Sequence, residues 1–133
     1  LLDQVRRLGL SDRVRLLPFT SAIHTVWRGT DVAVVPSTQP EPFGLVAIEA
    51  MACGVPVVAA GHGGLLDIIE PERSGLLFEP RSVGALADAL ARLADSADLR
   101  ARLGAAGAAR QATHFTVQAQ VAQTLALCRE MLP

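Results

Sequence analysis

Four short apolar segments, none of which alternates polar with apolar residues, constrain the fold of this chain most. They lie at residues 14–17, 32–35, 55–60 and 75–78, and helical patterns separate them. Strands that are apolar on both faces are typical of a parallel sheet buried between helices, whereas an antiparallel sheet wet on one side would alternate. The sequence therefore predicts an α/β fold with a parallel sheet and helices on both faces.

Helical patterns account for most of the remaining chain. They are predicted at residues 1–8, 23–27, 44–53, 65–69, 82–94 and 117–132. A less regular piece lies between the last two, and residues 110–116 are predicted to be a joint between helices. A chain of 133 residues suits one domain. We therefore predict a single domain over residues 1–133, in which residues 82–133 are mostly helical.

Composition excludes several classes of function. The formal charge is −1 and there is no basic run, which argues against a nucleic-acid partner. No apolar run approaches the ~20 residues that cross a bilayer, and the N-terminus does not have the pattern of a signal peptide. Cys53 and Cys128 lack CxxC spacing and are interpreted as reduced thiols in the core, with a disulfide between them as the alternative. These features favour a cytoplasmic protein.

Two loops follow predicted strands at their carboxyl ends, where ligands bind in open parallel sheets. The first, residues 36–44, is rich in proline and runs into the helix that begins at Gly44. The free N–H groups of that helix would bind a phosphate, and Gly44 would let the anion approach. The second loop is Gly-His-Gly-Gly at residues 61–64, where missing side chains allow close approach of backbone. The two loops predict a phosphate-binding edge.

Two glutamates flank this predicted phosphate site. Glu49 lies five residues after Gly44, roughly 7.5 Å along a helix, which is about the reach from a diphosphate to a ribose. A carboxylate there would accept hydrogen bonds from both ribose hydroxyls. Glu41 lies on the other side of the phosphate site, where a sugar would be. Alternatively, Glu41 only complements the helix dipole, worth ~0.3–1 kcal/mol, and Glu49 is only solvent-exposed. The apolar neighbours of Glu49 instead predict that it is buried with a partner.

Residues 31–80 carry motifs that resemble the C-terminal domain of retaining GT-B glycosyltransferases, a large bacterial family. The matching stretches are EPFGLVAIE at 41–49, EAMACGVPVV at 49–58, GGLLD at 63–67 and SGLL at 74–77. Glu41 and Glu49 reproduce the family's two glutamates separated by seven residues. The resemblance is looser before and after these residues. It implies a Rossmann-like sheet and binding of a nucleoside diphosphate sugar.

The resemblance also implies a role for each matching residue. Glu41 would be the catalytic residue, in contact with the transferred sugar, and Glu49 would hold the ribose hydroxyls. The other donor-binding residues implied are Phe43, Gly44, Leu45, Val46, Ser37, Gly63 and Gly64. Asp67 stands where the family has Glu, and His62 stands where an apolar residue is common; we interpret His62 as an exposed loop histidine.

The reaction implied is transfer of a sugar, with retention, from a nucleoside diphosphate sugar to the hydroxyl of an acceptor sugar, lipid or small molecule. No metal or other cofactor is expected, because no cluster of ligand-type residues occurs in the sequence. Three alternatives stay open: a hydrolase with an acid–nucleophile pair, a sugar-nucleotide epimerase or phosphorylase of the same fold, and a non-catalytic module that binds nucleotide or a partner protein.

The resemblance also implies elements that precede residue 1: an N-terminal domain and two central strands of the sheet. Without those strands, the strand at residues 32–35 would have an exposed edge, which is a template for pairing. We therefore predict that the chain either self-associates through this edge or pairs residues 14–17 with residues 32–35. We also predict that it does not catalyse transfer alone. Peripheral attachment to the inner membrane is left open.

Overall fold

The computed structural model describes residues 1–131, which form three strands and seven helices. The strands are β1 Ala33–Val35, β2 Val57–Ala60 and β3 Leu76–Phe78. The helices are α1 Leu2–Arg7, α2 Ile23–Arg28, α3 Leu45–Ala52, α4 Leu65–Ile68, α5 Val83–Asp95, α6 Ala97–His114 and α7 Val117–Met131. The last predicted helical residue, Leu132, lies outside the described residues.

The three strands form one parallel sheet in the order β1-β2-β3. Ala33 pairs with Val57 in the first ladder, and Ala59 pairs with Leu77 in the second. Parallel neighbours need crossover connections, and α3 and α4 lie in those connections. The predicted α/β fold with a parallel sheet is confirmed.

Strand β2 is buried on both faces, because each face packs against its own group of helices. Val57 and Ala59 join a core with α3 and α4, whereas Val58 and Ala60 join a second core with β3, α5 and α6. None of these four side chains has exposed surface. This two-sided burial explains why the strand has no polar alternation.

The strand predicted at residues 14–17 does not form, and this prediction was wrong. The N–H of Val14 donates to the carbonyl of Leu10, which makes a turn, and the side chains of Leu16 and Leu17 are exposed. A strand is stable only beside a partner, and within residues 1–131 no strand lies next to this segment. The predicted pairing with residues 32–35 is therefore also wrong. The outer edge of β1 has no partner strand in the described part of the chain.

Residues 97–114 form one continuous helix, α6, where an irregular piece was predicted. The interior glycines Gly104 and Gly107 lower helix propensity but allow close packing. An added Cβ at Gly104 would overlap the carbonyl oxygen of Gly54, and one at Gly107 would lie 3.2 Å from the oxygen of Ser74. Tertiary packing therefore overrides propensity, and the predicted joint shrinks to Phe115 and Thr116.

Both cysteines are free, but only one of them lies against the core. Cys53 is partly buried and packs on the α3 side of the sheet. Cys128 is exposed on α7, whose described residues include no buried side chain, so its predicted core position was wrong. No helix in residues 1–131 has the length and apolar character to span a membrane.

Candidate functional site

The loop between β1 and α3 holds Glu41 in a fixed orientation. The hydroxyl of Ser37 donates a hydrogen bond of 2.7 Å to Oε2 of Glu41, and both side chains are half-buried. Charge-assisted hydrogen bonds of this kind are short and directional. The loop therefore presents one oriented carboxylate just before the N-terminus of α3.

Gly44 forms the N-cap of α3 with a φ of 102°, a left-handed conformation that favours glycine. A Cβ there would lie 2.9 Å from Cδ2 of Leu65 and 3.0 Å from Cδ1 of Ile68, so the packing also requires glycine. The carbonyl of Gly44 accepts from the third and fourth residues after it. The N–H groups of Leu45 and Val46 have no carbonyl partner among residues 1–131. They are free donors at the positive end of the helix dipole.

The second predicted loop lies directly beneath the first. The N–H of Gly64 donates to the carbonyl of Glu41 at 2.7 Å. A Cβ on Gly63 would lie 2.7 Å from the nitrogen of Glu41, and one on Gly64 would lie 2.6 Å from the oxygen of Phe43. The missing side chains therefore make room for backbone of the first loop. Direct contact of these two glycines with a ligand stays a prediction.

Glu49 is exposed, and the prediction that it is buried with a partner was wrong. The helix turns Ala47, Ile48, Ala50 and Met51 to the core. Its opposite face presents Glu49 together with apolar side chains, since Leu45 is 61% exposed and Val46 is 46% exposed. The apolar neighbours of Glu49 thus belong to two faces, of which only one is core. An uncovered apolar surface around a carboxylate is a feature of binding sites.

His62 differs from its prediction as well. The residue is half-buried rather than exposed, and its Nε2 atom is buried without a hydrogen-bond partner in residues 1–131. No group of three or more His, Cys, Asp or Glu residues in the described part of the chain is arranged to hold a metal. That no metal takes part in the reaction stays an expectation.

A groove of about 500 Å³ next to this loop was not predicted. Phe43, Leu45 and Ile48 form one wall, and Arg110 and Phe115, at the α6–α7 joint, contribute to the other. Arg110 reaches back to backbone carbonyls of residues 67 and 68. Sequence gives no signal for such contacts, because main-chain acceptors more than 40 residues away leave no pattern.

One ion pair with a shifted pKa lies outside this site. Arg92 donates two hydrogen bonds to the carboxylate of Glu72, and these bonds lower the pKa of Glu72 below its ordinary value. Both side chains are exposed, so the pair contributes little to stability. It joins α5, which contains Arg92, to the turn before β3.

The architecture is that of the GT-B glycosyltransferases. The structure of Anabaena HepE in complex with UDP superposes with a TM-score of 0.88 at 35% identity, over 94% of this chain and 35% of that one. Sucrose-phosphate synthase from Thermosynechococcus elongatus superposes with a TM-score of 0.89 at 38% identity, over 98% of this chain and 33% of that one.

Comparison of the sequence with protein families and with related proteins identifies the family of this chain. The family model of glycosyl transferases group 1 matches residues 1–110, and the chain belongs to this family. The D-inositol 3-phosphate glycosyltransferase of Salinispora tropica is 44% identical over 118 residues, which are 87% of this chain and 24% of that protein. The enzyme of the same name from Saccharomonospora viridis is 42% identical over 134 residues, covering 99% of this chain and 31% of the relative. The chain thus spans between a quarter and a third of these relatives, approximately. The resemblance to GT-B glycosyltransferases is confirmed.

Proposed function

We propose that this chain is the donor-binding part of a retaining glycosyltransferase. It would bind a nucleoside diphosphate sugar, whose sugar is then transferred to an acceptor hydroxyl. The observation that carries the proposal is the pair of free N–H groups on Leu45 and Val46, with Glu41 before them and Glu49 one turn after them. Membership of the glycosyl transferases group 1 family supports the same proposal.

The diphosphate would bind at the N-terminus of α3. Free N–H donors and the helix dipole both favour an anion there, and no side chain among residues 1–131 caps this helix. Negative charge grows on the leaving diphosphate as the glycosidic bond breaks. Preorganised donors aimed at that charge lower the barrier. The chain's main contribution to catalysis would therefore be stabilisation of the leaving group.

The two carboxylates would hold the two ends of the donor. Glu49, exposed and about 6 Å along the axis from Leu45, is within reach of ribose hydroxyls. Glu41, oriented by Ser37 at 2.7 Å, would accept hydrogen bonds from hydroxyls of the transferred sugar. Phe43 and Gly44 would complete the sugar side through their N–H groups, and Ser37 would act there by orienting Glu41. Gly63 and Gly64 would act by supporting the loop.

Uracil is the nucleotide base that we propose to test first. Anabaena HepE was solved with UDP and with UDP-glucose, and it is 35% identical to this chain. The curated relatives are named for D-inositol 3-phosphate, which is accordingly the first acceptor to test. We further propose a cytoplasmic location, which two free thiols favour. An N-terminal acceptor domain and self-association through the β1 edge stay proposals.

The proposal is tested by titrating the full-length protein with UDP, GDP and ADP in a calorimeter. One of the three is expected to bind, and a ligand at 100 times its dissociation constant should add ~2.7 kcal/mol to the free energy of unfolding. If none of the three binds, the proposed donor site is wrong, and a non-catalytic interaction module becomes the better explanation.

Glu49→Ala should weaken binding of the nucleoside diphosphate by about 1.5–3 kcal/mol, because hydrogen bonds to a charged group are lost. The measurement is the dissociation constant of the free nucleotide, so that the sugar plays no part. Glu130→Ala removes another exposed helical glutamate and is the matched control. An unchanged dissociation constant in a folded Glu49→Ala protein would contradict the ribose assignment.

Glu41→Gln should lower kcat by roughly 10-fold while leaving nucleotide affinity nearly intact. The neutral amide keeps the size of the side chain but weakens hydrogen bonds to sugar hydroxyls, which contact the nucleotide site only indirectly. Steady-state kinetics and nucleotide calorimetry on the same protein separate the two effects. Equal loss of nucleotide affinity in the Glu41 and Glu49 variants would show that the roles are assigned wrongly.

A further inference from the structure

Arg110, on α6, connects this helix to α4 and to the residues just after α4. It donates to two backbone carbonyls and one carboxylate. Its Nε donates to the carbonyl of Ile68 at 2.7 Å, and its Nη2 donates to the carbonyl of Asp67 at 2.7 Å. Its Nη1 donates to Oε1 of Glu70 at 2.5 Å. The Arg110 side chain is only 20% exposed, and its guanidinium lies 5.7 Å from the centre of the Phe115 ring. The arginine is thus held from two sides.

Helix α4 needs such an external support. It has four residues, a single turn, and isolated helices of this length are unstable in water. The last carbonyls of a helix have no partner within it, and a cation at this end satisfies them and complements the dipole. Arg110 does this for Asp67 and Ile68, so it fixes the position of α4 from outside.

The loop at residues 36–44, between β1 and α3 and called the donor loop below, rests on α4 in turn. Leu65 and Ile68 are buried and lie directly under Gly44, at the N-terminus of α3. Gly64, the N-cap of α4, donates the hydrogen bond that holds the carbonyl of Glu41. A shift of α4 would therefore move Glu41 and the N-terminus of α3 together.

We propose that Arg110 is a positioning residue for donor binding: it clamps α4, and α4 sets the loop that carries Glu41 and the free N–H groups of α3. This inference rests on the proposed function, since it assigns to Arg110 the alignment of the same donor site. The three guanidinium nitrogens of Arg110 already donate to protein acceptors, so we assign it no direct contact with substrate. Its effect passes through packed backbone, where displacements of 1 Å already cost up to ~100-fold in rate.

Arg102 offers a matched control on the same helix. Its Nη1 donates to the carbonyl of Glu72 at 2.9 Å, so it too joins α6 to a backbone carbonyl of the segment before β3. That carbonyl lies beyond α4, whereas the residues that hold the donor loop are Gly64, Leu65 and Ile68. Loss of Arg102 should leave the donor loop in place.

The test compares Arg110→Met, Arg110→Lys and Arg102→Met in the full-length protein. Arg110→Met should raise the UDP dissociation constant and the donor KM about tenfold, with the acceptor KM unchanged. Arg110→Lys, which keeps the charge but not the fork of donors, should fall between wild type and Arg110→Met. Arg102→Met should stay within about twofold of wild type. Equal effects of the Arg110 and Arg102 variants would overturn the proposal.

Hydrogen exchange provides a second readout that needs no ligand. The amide of Gly64 donates to Glu41, and its exchange should be faster in Arg110→Met and unchanged in Arg102→Met. Unaltered exchange in Arg110→Met contradicts the clamp. If wild type binds no nucleoside diphosphate but this exchange difference is found, the proposed function fails and the clamp stands. If Arg110→Met does not fold, Arg110→Lys decides by the same two measurements.

Discussion

Gly63→Ala is expected to lower kcat/KM for the nucleotide-sugar donor by about 100-fold. A Cβ at this position would lie 2.7 Å from the nitrogen of Glu41 and 3.1 Å from the carbonyl carbon of Pro40. These are backbone atoms, so the Glu41 loop itself must move to relieve the overlap. A displacement of about 1 Å at a reacting centre costs on the order of 100-fold. Gly63 also has a φ of 57°, which adds strain to any side chain there.

Steady-state kinetics with the sugar donor of whichever nucleotide binds in the titration would measure this loss. Gly61→Ala is the matched control, because a Cβ at Gly61 would meet the oxygen of Phe78 at 3.4 Å, an ordinary contact. We expect Gly61→Ala to retain most of the activity. Wild-type kcat/KM in a folded Gly63→Ala protein would contradict the idea that the second loop supports the first.

Gly104→Ala is expected to lower the free energy of unfolding by about 2 kcal/mol, the upper end of the overpacking cost less the gain in helix propensity. The added methyl group would overlap the carbonyl oxygen of Gly54 and lie 3.5 Å from Cδ of Pro56. Helix α6 would have to move away from the turn that follows α3, and overpacking of a tight contact costs typically ~1–3 kcal/mol. The gain in helix propensity from glycine to alanine, ~1 kcal/mol, is smaller than this cost.

Urea unfolding followed by circular dichroism would measure the difference. Gly84→Ala is the control, since Gly84 lies in α5 with nothing within 4 Å of an added Cβ. That variant should gain ~0.5–1 kcal/mol from propensity alone. A Gly104→Ala protein as stable as Gly84→Ala would mean that α6 does not depend on its contact with Gly54.

The strands and short helices were predictable because local signals and burial agree. The strands β1, β2 and β3 are runs of apolar residues ended by proline or glycine, and each is paired in the sheet. Residues 14–17 carry the same local signal but have no neighbouring strand, and pairing is what makes an apolar run a strand. Conversely, the less regular piece predicted after residue 94 is mostly helix α6, because close contact of Gly104 with Gly54 outweighs the low helix propensity of glycine.

The candidate site was only partly predictable. Glu41, Glu49 and Gly44 follow from their spacing and from the resemblance. The exposure of Glu49 did not follow, because an apolar helix has no sequence mark that separates a core face from an uncovered one. The contribution of Arg110 could not be predicted either. Two of its acceptors are the main-chain oxygens of Ile68 and Asp67. Residues of any type would offer the same atoms, so the sequence does not mark them.

The bare N-cap of α3 leaves the first N–H groups of the helix open to a ligand. Ser82 and Ser96 cap α5 and α6 with their side chains, whereas Gly44 offers α3 no such hydrogen bond. Glycine in place of a capping side chain costs only about a few tenths of a kcal/mol, so the free protein forgoes little stability at the proposed donor site. A larger residue would not recover this amount, because the left-handed backbone of Gly44 and its packing on Leu65 and Ile68 favour glycine. In the proposed complex, a bound phosphate would take the place of the missing cap.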